Sequence, residues 1–206
     1  RLAFRLQLQD IRTWGSTAQL NLSDNLASVH QAWAEYAPGK GFSIRLGRQE
    51  LVYDDHRIFG NVGWAQQGRS HDLALLKWEQ ESWKMHMGLA YNQDMEQFNT
   101  TLYTVENYKS MQFVWLNYSE ESYSLSVLFL NNGVQSNATP PTSGQWFSQT
   151  AGSFGSYRSE VLGVQAAAYI QSGRDPYGRR LRAYMLSGEA SYGIGLKNIL
   201  GFQQPK

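Results

Sequence analysis

An antiparallel transmembrane β-barrel is the fold that this sequence predicts, and three observations carry the prediction. Apolar and polar residues alternate with period two through most segments, and those segments run about 9 to 11 residues. The connections between them go long, short, long, short along the whole chain. Aromatic residues make up 14 % of the 206 residues, with 12 Tyr and 7 Trp, and in the clearest strand they stand at both ends, as in the interfacial girdles of a membrane barrel. A mean hydropathy of -0.48 and no long apolar run exclude a helical membrane protein. They do not exclude a barrel, whose strands show lipid only every second residue.

Taken in order, the first strand runs from residue 1 to about residue 14, with Leu2, Phe4, Leu6 and Leu8 opposing Arg5, Gln7 and Gln9. A moderate connection leads to a poorly alternating second strand near 27–36, whose polar face carries Gln31 and Glu35. After the short turn APGKG come a third strand from 42 to about 50, a long polar connection and a fourth strand at 71–79. The fifth strand sets Trp83, Met85, Met87, Leu89 and Tyr91 against Lys84, His86, Gly88, Ala90 and Asn92. A sixth is placed near 111–118, and the seventh opposes Tyr123, Leu125, Val127 and Phe129 to Ser124 and Ser126. The longest irregular stretch, NNGVQSNATPPTSGQW, precedes an eighth at 148–157. The ninth carries Leu162, Val164, Ala166, Ala168 and Ile170 on one face; the tenth, at 181–192, points Tyr184, Leu186 and Tyr192 outward and Ser187, Glu189 and Ser191 inward, and an eleventh begins beyond it. Short turns on one side and long loops on the other are the periplasmic and extracellular ends of an outer-membrane barrel.

The stretch FSIRLGRQELVYDDHRIFGNVGWAQQGRSHD, residues 42–72, changes character at Gly47. Strict alternation past it would put Arg48 and Glu50 on the face of Phe42, Ile44 and Leu46. A bulge at Gly47, adding one residue, is expected to swing both charges to the polar side. The segment after it, with Asp54, Asp55, His56, Arg57, Arg69, His71 and Asp72, reads as too polar for a core and as a functional loop.

Charge narrows the function. The formal net charge of +1 is scattered and forms no basic tract, which argues against nucleic acid. There is no cysteine, so thiol and zinc-cysteine chemistry are absent. Asp54, Asp55 and His56 show no recurring ligand spacing, so neither a metal nor a cofactor is expected. An enzyme reading would use Tyr53, His56 and Arg57 or paired acids. Adjacent Asp54 and Asp55 would diverge in an extended segment and cannot flank one bond, which leaves a polysaccharide-degrading β-fold enzyme without catalytic spacing.

GRQELVYDDHRIFGNVGWAQQGRSHD resembles the signature segment of the alginate export family, and LQDIRTWG, VHQAWAEY, GLAYNQD, SVLFLNNG and QSGRDPYGRRLRAY are similar to family members in wording and order. The resemblance implies an outer-membrane β-barrel of about 18 strands, of which 10 or 11 are represented here. Residues 1–206 would then be part of a single barrel domain lacking N-terminal and C-terminal strands. It also implies an electropositive pore narrowed by inward loops. Arg45, Arg48, Glu50, Arg57, Arg69 and Asp72 resemble the family's lumen charges, and Arg5, Lys84 and His86 join them by parity. Arg forks suit carboxylates, and interspersed acids keep binding weak enough for release. The lumen face is also rich in Gln, Asn, Ser and Tyr, so the expected function is passive transport of hydrophilic, anionic solutes or saccharide. The expected partners are outer-membrane lipid and the solute, with an envelope protein left open. The alternative is a non-conducting structural or glycan-binding barrel, with Trp64, Trp146 and Tyr169 as stacking platforms.

Overall fold

Ten strands pair in strict sequence order, each antiparallel to the next, in a single sheet. They are β1 (Leu2–Asp10), β2 (Ala27–Gly39), β3 (Phe42–Gln49), β4 (His71–Gln80), β5 (Trp83–Tyr91), β6 (Tyr108–Ser119), β7 (Tyr123–Gln135), β8 (Gln145–Arg158), β9 (Leu162–Arg174) and β10 (Arg180–Tyr192). The structure is a computed structural model that describes residues 1–11, 27–65, 67–93, 103, 107–137 and 144–193. The expected eleventh strand and the end of the first lie outside the described residues. Where the connection is short the pairing follows from it, because a two- to five-residue turn can only return the chain antiparallel beside itself.

The two faces of the sheet differ in kind. On one, Phe4, Leu6, Ile170, Tyr184 and Leu186 stand exposed, each more than 65 % accessible. On the other sit the buried Leu73, Leu75, Met111, Phe113, Trp115, Leu128, Phe154 and Tyr169, together with Leu51, Tyr53 and Phe59 from the β3–β4 connection. The face covered by that connection is called inner here. An outer face that bares its apolar side chains suits lipid and would be costly in water.

The bulge expected at Gly47 is not there. β3 pairs without a shift through Gly47 on both sides, Trp33 and Leu73 being its partners, and the ladder continues to Arg48↔Asp72. The glycine answers a different need: its φ is +118°, and a Cβ would lie 2.2 Å from the Ala32 carbonyl oxygen. With parity unbroken, Arg48 shares the outer face with Phe42, Ile44 and Leu46. Register shifts occur instead at Gln7/Leu8, Tyr36/Gly39 and Tyr108/Ser110.

Several strands run longer than alternation indicated, β7, β8 and β9 among them. β7 and β8 continue into NNGVQ and QWF, pairing Asn131↔Gln149 and Gln135↔Gln145. Gln149 donates to Asn131 (2.8 Å) and Asn131 to Gln112 (2.7 Å) on the outer face. Polar side chains there pair laterally, so the strands persist where the apolar alternation has ended. β9 likewise runs on to Arg174.

Candidate functional site

The β3–β4 connection does not stand off as a polar loop; it folds across the inner face. Three apolar residues carry it in. Leu51, Tyr53 and Phe59 are all buried, with Tyr53 against Trp115 at 4.7 Å between ring centres and Phe59 against Phe113 at 4.8 Å. Each such pair contributes about 0.5–1.5 kcal/mol beyond the area it buries. The expectation that the stretch is too polar for a core is thus corrected: widely spaced apolar anchors bury it, and the charges gather at its turn.

That turn spans Tyr53 to Phe59. The Tyr53 amide donates to the Phe59 carbonyl (3.1 Å) and the His56 amide to the Tyr53 carbonyl (3.0 Å), and Asp54 and His56 adopt left-handed φ of 53° and 63°. Both residue types tolerate that conformation better than most. Asp54 accepts hydrogen bonds from Ser126 Oγ (2.6 Å) and from Trp115 Nε1 (3.1 and 3.2 Å to its two oxygens). Burial pushes its carboxyl above the ordinary value, against the opposing pull of those two donors. Asp55 accepts from both the amide (3.2 Å) and Nε (2.8 Å) of Arg57. The Tyr53 hydroxyl meets His86 Nδ1 at 2.9 Å, and His86 Nε2 meets Glu79 Oε1 at 2.8 Å. This fits the tautomer in which Tyr53 donates to Nδ1 and Nε2–H donates to the carboxylate.

The root of the connection is tied separately. Glu50 accepts from His30 Nε2 (2.8 Å), and Gly68 lies so close to the His30 ring that a Cβ would come within 2.5 Å of it. The Arg69 amide donates to the Asn61 carbonyl (2.9 Å).

Beside the connection, a chain of polar contacts crosses β1 to β4 on the inner face. Arg5 donates to Gln7 (2.9 Å), Gln31 to Gln7 (3.2 Å) and Trp33 Nε1 to Gln31 (3.1 Å). The Arg45 guanidinium lies 4.0 Å from the centre of the Trp33 ring. Arg45 and Lys77 both bond to the Glu35 carboxylate, Lys77 at 2.9 and 3.0 Å. Two cations share one anion, so this network carries excess positive charge. On the opposite half of the inner face, the turn residues Asp54, Asp55, His56 and Arg57 line a hollow with Gln165, Ser187 and Glu189.

The candidate residues fall in several places. Arg5 and Arg45 lie in the inner network. Lys84 lies on the inner face, opposite Glu79 and Asn117. His86 is on that face too, but Tyr53 and Trp115 cover it. Glu50 serves the root of the connection, Arg57 its turn, and Arg69 is exposed on its return limb. Arg48 and Asp72 are on the outer face, joined by Nε to Oδ1 at 3.0 Å and Nη2 to Oδ2 at 2.7 Å. Among the suggested stacking platforms, Trp64 is exposed, Tyr169 is buried, and Trp146 lies beneath the Arg174 guanidinium. The shared role of Lys77 with Glu35 was missed, because only cross-strand register brings residues 42 positions apart together. The bonding of Asp54 was missed for the same reason. Among the described residues no three His, Asp or Glu gather in a way that could hold a metal ion.

A sequence model described as alginate export matches residues 1–123, more than half of the 206 residues. No curated protein matches the chain. The matched stretch takes in β1 to β6, the whole inward connection and the Arg5-to-Lys77 network, and the chain belongs to the alginate export family, whose members are outer-membrane β-barrels of polysaccharide transport.

Proposed function

We propose that this chain supplies wall strands and an inward constriction to an outer-membrane channel through which hydrophilic, anionic solutes or polysaccharide move passively. The observation that carries the reading is the inner-face network in which Arg45 and Lys77 share Glu35 while Arg5 stays exposed. A carboxylate passing that face meets forked donors already oriented by neighbours, and the shared acid weakens each contact enough for release. The connection anchored by Tyr53 and Phe59 narrows the same passage. Residues 1–206 are read as part of one larger barrel domain, because the outward backbone groups of β1 and β10 need partners in lipid. Of the sequence candidates, Arg5, Arg45, Lys84 and the turn residue Arg57 are assigned to the passage. Arg69 and Glu50 flank it, His86 braces the connection from beneath, and Arg48 with Asp72 belongs to the outer rim.

The test is single-channel conductance of the full-length protein in a planar bilayer, with and without oligouronate. Block by oligouronate that Arg45→Ala weakens and Arg48→Ala leaves alone supports the reading. Absence of conductance from a folded protein would sink it in favour of a non-conducting barrel.

A further inference from the structure

The outer face of β6 to β10 carries a row of polar residues in direct register near the long-loop end. Gln112 pairs with Asn131, Asn131 with Gln149, Gln149 with Ser172 and Ser172 with Arg182. Two residues further along β10, Arg180 stands on the same outer face. It lies opposite Arg174, whose guanidinium is engaged with the Gly178 carbonyl (2.6 Å) and the Trp146 ring. Arg180 and Arg182 are exposed and border a hollow that includes Phe147 and Ser172. Two positions below Arg182 come Tyr184 and then Leu186, the start of the apolar band.

By strand parity no Asp or Glu of the described strands β6 to β10 lies on their outer face. Arg180 and Arg182 stand two residues apart on one face with no strand acid beside them, so their combined charge favours a bound anion. The position favours a lipid source. An interfacial tyrosine marks the edge of the hydrocarbon, and the arginines lie just beyond it at headgroup height. Amide side chains at the same level offer donors and acceptors to sugar hydroxyls and amides, while Ile170 and Tyr184 offer an apolar surface to acyl chains.

We propose that Arg180 and Arg182, with the Gln149–Asn131–Gln112 row beside them, form a docking site for the phosphorylated headgroup of an outer-leaflet glycolipid. The site is independent of the passage, since both arginines point away from the inner face.

The full-length protein is placed in nanodiscs containing lipid A, in its phosphorylated or its dephosphorylated form, and retained lipid is counted by native mass spectrometry. Arg180→Gln with Arg182→Gln is expected to lower retention of phosphorylated lipid A about thirtyfold, from about fivefold per arginine near a charged lipid surface. Replacing both by Lys should restore most of it, and dephosphorylated lipid A should be retained poorly by every form. A photoreactive residue at Ser172, with both arginines intact, should crosslink phosphorylated lipid A, so the proposal stays testable should the double variant fail to insert. Equal retention by parent and variant, equal retention of the dephosphorylated lipid, or no crosslink from Ser172 would overturn the proposal. Displacement of the lipid by inorganic phosphate alone would also overturn it, since the site would then be one for free anions.

Discussion

Arg45 and Arg48 are three residues apart on β3, and they live in different solvents. Arg45 faces inward, stacked on Trp33 and bonded to a Glu35 carboxylate that it shares with Lys77; the side chains of Arg45 and Glu35 are 24 % and 17 % exposed. Arg48 faces outward and is matched one to one with Asp72, at 42 % and 53 % exposure. The inner group is a network with surplus positive charge. The outer group is a self-contained pair at the rim of the apolar face. Strand parity, a single step of 180° per residue, decides which arginine can meet a solute.

The comparison can be broken most forcefully at the loop that covers the inner face. Phe59→Ala removes a buried ring and is expected to cost about 3–5 kcal/mol. The connection should leave the inner face and single-channel conductance should rise, while Leu6→Ala on the lipid face should leave conductance unchanged. Next is the shared carboxylate. Glu35→Gln leaves Arg45 and Lys77 half-buried without an anion and should lower stability by about 2 kcal/mol, below the range for fully buried pairs because this one is partly wet. Heat-induced loss of the folded band on a gel measures it, and stronger oligouronate block should accompany it.

A smaller effect concerns pH. Asp54 holds its proton more tightly in the docked connection than in a free chain, so the charged form penalises docking at neutral pH. The penalty is relieved as pH falls through the raised folded value, above the free-chain value of about 3.9. Docking therefore strengthens on acidification, and conductance should fall. Asp54→Asn should flatten that dependence; a wild-type conductance that rises with acid and is equally steep in Asp54→Asn would contradict the assignment. The smallest effect is expected at the outer pair. Asp72→Asn should change stability by no more than about 1 kcal/mol, because an exposed ion pair gains little over its solvated parts. Oligouronate block should not change at all.

Most of the fold was legible because period-two alternation is a local property. β5 could be read from Trp83 to Tyr91 without knowing any neighbour, and β10 almost residue for residue. The site was less legible. At Gly47 the sequence pointed to a bulge, and only the Ala32 carbonyl beside it shows that close approach is what requires the glycine. The charged loop hid its apolar anchors because Leu51 and Tyr53 are only two residues at strand spacing, and Asp54 to Arg57 separate them from Phe59.

The sequence alone determined the fold class, the order of the strands and the outer apolar face, since alternation and turn length act over a few residues. Tertiary structure decided that the β3–β4 connection lies inside, that Glu35 serves two cations and that Arg48 belongs to the rim. Those outcomes depend on register between strands and on packing between residues tens of positions apart, and such long-range pairings leave no periodic trace in the chain that makes them.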